Sequence, residues 1–297
     1  MPRPIEYESL QPAQFGGALP EARGFDDSEA VILPAPLERT TSYGIGTRYG
    51  PRELLVASAQ VELWDEEMGA DVHGRGMFTL PEMDLQSGSL ETALAAIGKA
   101  AGEVLDRGKF LITLGGEHSI TTPLVEAAGA RHPGLTVLQI DAHADLRDGY
   151  QGQRHSHAAA MRRTLDFARV VQVAIRNISV DEVEALPSLN TKIFYDWNMR
   201  DDPHWMNRVV DALGDPVYVT IDLDGLDPGT MPAVGTPEPG GLSWRELTKL
   251  LRLAFAQKRV VAADVVELCP IPGISAPNFL AARLVYKLLT YKFASSR

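Results

Sequence analysis

Apolar positions along the chain fall into two kinds of run. Val, Ile and Leu are nearly continuous in AVILP (30–34), FLITL (110–114), LTVLQI (135–140), VVQVAI (170–175), KIFY (192–195), VYVTI (217–221) and VVAADVVEL (260–268). Continuous rather than alternating runs of this length suit strands covered on both faces. Between them, helical spacing predicts helices over roughly 51–61, 90–106, 119–131, 181–186, 204–213, 243–257 and 277–293. Local start signals agree with several of these. Pro51 follows Gly50 and fits a first helical turn, Ser243 precedes WREL with Glu246 three residues on, and Asp181 is placed to cap EVEAL. From about residue 110 strands and helices alternate, which predicts βαβ units and a parallel sheet with helices on both faces. No repeat, low-complexity tract or long linker divides the chain, so residues 1–297 read as a single three-layer α/β domain.

The Gly/Pro-rich stretch DGLDPGTMPAVGTPEPGG (224–241) holds too much turn chemistry for regular structure and follows a strand ending in acids, which marks a functional loop. The formal net charge of −11, from 28 basic and 39 acidic residues, argues against nucleic acid or an anionic membrane as a partner. It is compatible with a cationic substrate, with acidic solubility as the plainer reading. The one cysteine, Cys269, excludes an intramolecular disulfide or a cysteine-rich zinc site and reads as inert core packing. The opening MPRPIEYESL lacks the apolar core of a secretory signal, and no apolar stretch approaches the roughly 18 residues of a membrane span. A soluble, cytoplasmic protein is expected.

The chemistry lies at three strand ends, the edge at which open α/β sheets bind ligands. In FLITLGGEHS, Gly115 and Gly116 permit a sharp turn that places His118 at the entrance to a helix, with Glu117 as an N-terminal helix charge. In VLQIDAHAD, Asp141, His143 and Asp145 alternate and would share one face of an extended backbone. Buried carboxylates need neutralising, which a solvated loop or a metal ion can supply; D-x-H-x-D directly after an apolar run favours the metal. In VYVTIDLDGLDP, Asp222 and Asp224 repeat the pattern, while Asp227 suits turn chemistry ahead of Pro228. Mixed carboxylate and imidazole donors suit Mn²⁺, with zinc or iron as alternatives. One divalent ion would leave the four aspartates at a net charge of about −2 and two would bring them to about zero, which points to a pair of ions sharing an acidified water.

At GGEHS (115–119), DAHADLR (141–147) and DLDGLDP (222–228) the chain resembles the ureohydrolases, the family of arginase, agmatinase and their relatives. GTRYGP (46–51), GTPEPGGLS (235–243) and VVELCP (265–270) extend the resemblance over most of the chain. It implies an α/β/α fold with a parallel, roughly eight-stranded sheet, two Mn²⁺ ions per subunit, and a homotrimer or homohexamer. By the same resemblance His118, Asp141, Asp145 and Asp222 would hold one ion. His143, Asp141, Asp222 and Asp224 would hold the other, with Asp141 and Asp222 bridging. Glu267 would orient a guanidinium, Asp145 would steady the nucleophile, and His157 would move protons, with His155 as a competitor for that role. An acid inside VVAADVVEL needs a cationic partner in any case, of which a structural salt bridge is the alternative; Asp264 reads as structural. Arg162 and Arg163 read as surface or interface charges.

The implied reaction is hydrolysis of a guanidino group to urea and an amine. Arginases resemble one another in an Asn two residues after DAHTD and a GN-x-HG segment, where this chain has Arg147 and RHSHA. DAHADLR, SHA and GTPEPGG look like the agmatinase branch, so agmatine to putrescine and urea is the expectation. N1-aminopropylagmatine and a guanidino acid are the competing substrates. A binuclear phosphoesterase is disfavoured because no G-x-x-x-x-G-K-[ST] loop is present, and GIGTRYG has the wrong spacing for a dinucleotide fingerprint. A non-catalytic metal-binding subunit is the remaining alternative, opposed by the intact ligand set.

Overall fold

Every continuous apolar run becomes a strand of one parallel sheet. The computed structural model describes residues 13–17 and 24–294, so MPRPIEYESL lies outside the described residues. The strands are β1 (Ala30–Ala35), β2 (Met77–Thr79), β3 (Phe110–Gly115), β4 (Thr136–Ile140), β5 (Arg169–Ile175), β6 (Thr191–Tyr195), β7 (Val217–Asp222) and β8 (Val260–Val266). Their order is β2-β1-β3-β8-β7-β4-β5-β6, parallel at every pairing. The short β2 has no apolar run to announce it. It closes one edge, and β6, with Lys192 turned to solvent, closes the other.

The helices are α1 (Gly50–Ser58), α2 (Leu90–Leu105), α3 (Thr121–Gly129), α4 (Ala160–Thr164), α5 (Val180–Ala185), α6 (Asp196–Met199), α7 (Trp205–Ala212), α8 (Trp244–Gln257) and α9 (Ala276–Ala294). Neighbouring strand residues bury on opposite faces, as the pleat requires. Ile32, Ile112, Leu138 and Val219 pack with Leu54, Val209, Leu250 and Leu284 of α1, α7, α8 and α9. Val31, Leu111, Val137 and Tyr218 pack with Leu94, Leu124 and Met161 of α2, α3 and α4. The result is the expected three-layer α/β/α architecture. Pro51 lies in the first turn of α1, and Ser243 with Glu246 forms a reciprocal cap on α8. The cap of α5 is Ser179 rather than Asp181. Its hydroxyl reaches Glu182 N, Glu182 returns the bond, and Asp181 is left in the first turn.

On the α3/α4 face one level of the sheet is polar. Thr113 of β3 stands beside Asp264 of β8, Asp264 beside Thr220 of β7, Thr220 beside Gln139 of β4, and Gln139 beside Gln172 of β5. All five are buried, so their polar groups need partners inside the protein. For all but Thr113, whose hydroxyl has no hydrogen-bond partner among the described residues, those partners connect the row to the residues just beyond the strand ends. Among the described residues no helix is long and apolar enough to cross a membrane.

Candidate metal centre and active-site cavity

The connection from β3 to β4 jumps over β8 and β7, so a topological switch falls in the middle of the sheet. His118 follows β3, Asp141, His143 and Asp145 follow β4, Asp222 ends β7 with Asp224 just beyond it, and Glu267 follows β8. All of these except Asp141 line one cavity of about 180 Å³, with Arg147, Tyr150, His157, Asn177 and Thr236 among the other lining residues.

His118 Nδ1 lies 3.0, 3.2 and 3.3 Å from carboxylate oxygens of Asp141, Asp145 and Asp222. His143 Nδ1 lies 2.9 Å from Asp224 and 3.6 Å from Asp141. Two groups of metal-ligand type result: His118, Asp141 and Asp145, and Asp141, His143 and Asp224. Asp141 belongs to both groups. Asp222 turns Oδ2 towards His118 and accepts Asp224 N with Oδ1, so it joins the His118 side and forms no ion pair with His143 within 4.0 Å. The expected alternation from 141 to 145 does not hold. β4 ends at Ile140, and Asp145 has φ +53°, so a loop rather than an extended strand brings these side chains together.

The polar row explains how they are held. Gln139 donates to Asp141 Oδ2 at 2.6 Å, and Gln172 donates to Gln139 and to Ala144 O, each at 2.6 Å. Thr220 has one hydroxyl proton and gives it to Asp264 at 2.6 Å. His118 Nε2, 2.9 Å from the same oxygen, therefore donates, and Nδ1 is left with its lone pair towards the three carboxylates. Tyr218 and Thr121 also donate to Asp264, confirming its structural reading. Asp227 accepts Gly229 N, as a turn residue should.

A second relay of the same kind supports His157. Thr40 gives its proton to Glu117 at 2.9 Å and accepts His157 N at 2.9 Å, so Nδ1 of the ring, 3.1 Å from Thr40 Oγ1 and 3.3 Å from Ser156 Oγ, is placed to donate. Nε2 then makes no hydrogen bond among the described residues. Glu117 stands at the N-terminus of the helical turn at His118–Ile120, as read from the sequence, but it is wholly buried and accepts Arg39 N, Thr40 N and Ser119 Oγ. Arg163 is not a surface charge, being buried and paired with Asp148. Cys269 is only half-buried, its thiol donating to Ile45 O, so it is not core packing.

Burial and a crowd of acids set the electrostatics. Counting only the chain's own charges, burial would lower His143, but Asp224 and Asp141 push it up to about 12. His118 also rises because Asp141, Asp145 and Asp222 outweigh its burial. Burial and the charge of Asp141 push Asp145 up to about 7. Burial, then Asp224 and Asp141, raises Asp222, and burial with Glu117 raises Glu267. Burial lowers His157, with Glu117 opposing. The Glu267 backbone has φ +65°, and Oε1 accepts His118 N at 2.8 Å, which leaves Oε2 for the cavity.

A doubly wound parallel sheet that gathers imidazoles and carboxylates around a cavity at its C-terminal rim defines an α/β enzyme with a metal-type donor cluster. More particularly, the chain belongs to the arginase family, whose model matches residues 28–290, and is a hydrolase of the ureohydrolase type. It is 39% identical over 284 residues to the N(1)-aminopropylagmatine ureohydrolase of Synechocystis sp., covering 92% of each chain. It is 32% identical over 263 residues to an agmatinase of Bacillus anthracis, covering 87% of this chain and 89% of the other. The crystal structure of an agmatine ureohydrolase of Thermoplasma volcanium matches with a TM-score of 0.86 and 28% identity, over 96% of both chains.

Proposed function

We propose that the cluster holds two divalent ions, Mn²⁺ by donor type, and that the enzyme hydrolyses the guanidino group of agmatine to urea and putrescine. One observation carries the reading. His118 Nδ1 is buried without a hydrogen bond while facing oxygens of three carboxylates. A single imidazole cannot satisfy that many buried acids, whereas cations can. His118, Asp141, Asp145 and Asp222 would hold one ion, and Asp141, His143 and Asp224 the other. When bound, such a pair neutralises the aspartates and brings the pKa of water towards neutrality.

The remaining work falls to the chain. Glu267 presents Oε2 to the guanidinium and fixes its carbon for attack by water. Asp145 accepts a hydrogen bond from that water and steadies the tetrahedral centre. As the carbon–nitrogen bond breaks, the water's proton passes through His157 Nε2 to the departing amine nitrogen. The ring can do this because Thr40 holds its other nitrogen as a donor.

The higher identity to the aminopropylagmatine enzyme favours N1-aminopropylagmatine as a second substrate. Urea release from Mn²⁺-loaded protein should be measured with agmatine, N1-aminopropylagmatine, 4-guanidinobutanoate and arginine. Urea is expected from one or both of the first two and not from arginine; release from arginine alone would overturn the assignment. The subunits are proposed to assemble as a homotrimer or homohexamer, for which light scattering after size exclusion is the measurement.

A further inference from the structure

Pro237-Glu238-Pro239 directly follows Gly235 and Thr236, which line the cavity, on a constrained piece of loop. The two prolines restrict the backbone, and Gly240 and Gly241 follow with φ +86° and +107°. The backbone carbonyl of Glu238 accepts Arg176 Nε at 3.3 Å and Nη2 at 3.0 Å. The same guanidinium also donates to Asp224 O at 2.6 Å, Leu226 O at 3.3 Å and Ala174 O at 3.1 Å. It thus ties this loop to the turn that carries Asp224. A Cβ at Gly241 would stand 2.8 Å from Arg176 Nη2 and 2.9 Å from Gly225 O, so the glycine makes room for the tie.

The Glu238 side chain is fixed separately. Asn177 Nδ2 donates to Glu238 Oε1 at 2.5 Å, and Asn177 itself lines the cavity and pairs with His143 in a parallel bridge. Glu238 Oε2 makes no hydrogen bond or ion pair among the described residues.

The other charged groups around the cavity are committed. Both oxygens of Glu182 are taken, one by Leu146 N and the other by Ser179 N and Oγ. Glu267 faces the reacting end, and Arg147 lies over the Tyr150 ring, 5.1 Å from its centroid. Among the described residues this leaves Glu238, held against the cavity-lining Asn177, as a pre-positioned carboxylate with a free oxygen. We infer that Glu238 accepts the ammonium of the substrate tail and gives the enzyme its preference for cationic guanidines over neutral or carboxylate-tailed ones. This inference rests on the guanidine-hydrolysing reading of the site.

The test compares wild type with E238Q as full-length Mn²⁺-loaded protein. The substrates are agmatine or N1-aminopropylagmatine, whichever wild type hydrolyses faster, and butylguanidine, which has the four-carbon chain of agmatine without an ammonium. Losing a charge-assisted contact should raise KM for the cationic substrate about tenfold, with kcat within about twofold. KM for butylguanidine should not change. E238D, which keeps the charge on a shorter stem, should fall between the two. The backbone tie to Arg176 survives both substitutions, and a thermal melt within about 2 °C of wild type would show it. An unchanged KM for the cation in E238Q, or an equal rise with butylguanidine, overturns the inference while leaving the enzyme's activity in place. Wild type that releases urea from no guanidine overturns the functional reading, and this inference with it.

Discussion

Thr220 and Thr40 each have one hydroxyl proton, and in each case a buried carboxylate takes it. That single constraint fixes which nitrogen of His118 faces the acids and which nitrogen of His157 faces the cavity. Thr220→Val should weaken metal binding roughly 10–100-fold, because His118 loses the acceptor that orients it; titration calorimetry with Mn²⁺ on chelator-treated protein measures this. Thr40→Val and His157→Asn should instead keep wild-type metal content by elemental analysis while lowering kcat by about 10²-fold or more. Metal loss in these two, or full turnover, would remove the relay from the mechanism. The charged donors are legible in the sequence because an Asp or His at the end of an apolar run has no cheap explanation. The residues that hold them are not. Gln139, Gln172 and Thr220 each interrupt LQI, VQV or VTI by one uncharged polar side chain, and only the strand register shows that they form a row. Glu117 is hidden for another reason, since its partners Arg39 and Thr40 lie far away in the chain.

Two helices share the same start signal and differ in what it supports. Ser243 and Glu246 cap α8, and Ser179 and Glu182 cap α5, each with a reciprocal pair of bonds. Glu182 does more, because its other oxygen accepts Leu146 N at 2.7 Å and so holds the loop that carries Asp141, His143 and Asp145. Ser243→Ala should cost about 1 kcal/mol of stability and leave kcat/KM alone. Ser179→Ala should lower both, because a loosened Glu182 frees the 141–147 loop. Chemical denaturation and urea assays on the pair separate the two effects, and equal activity in both variants would deny α5 this role. Helix interiors and strand interiors are legible from periodicity, whereas the α5 cap is misread by two residues because Asp181 and Ser179 are both good capping residues. The loop after β4 is misread for a similar reason. Alternation predicts an extended chain, but the left-handed backbone at Asp145 follows from contacts beyond its neighbours in sequence.

At the scale of the whole molecule, strand alternation makes the layers legible but not the strand order, since βαβ handedness does not say which crossover skips two strands. That order matters because it draws β3, β8, β7 and β4 together and concentrates their acids at one rim. The consequence is a link between metal, protons and stability. Counting only the chain's own charges, His143 is pushed up to about 12 and Asp145 up to about 7. A raised pKa contributes stability that is complete below the unfolded value, about 6.5 for His and 3.9 for Asp, and is lost as pH rises through the folded value. For Asp145 that loss falls between about pH 4 and about 7, and for His143 between about pH 6.5 and about 12. Cations entering the cluster must displace these protons, so their affinity rises with pH while the protonated, metal-free protein loses stability. Remote groups such as Asp106, held low by Arg131, carry the opposite dependence but are unaffected by the metal and cancel in a difference. The gap in melting temperature between protein with saturating Mn²⁺ and chelator-stripped protein should therefore widen from about pH 5.5 to about pH 8. Free ion at about 100 times its dissociation constant adds about 2.7 kcal/mol, or roughly 4–5 °C for a chain of this size. Paired thermal melts across that range test the coupling, and a gap that stays constant or narrows would show that the rim acids bind protons and metal independently.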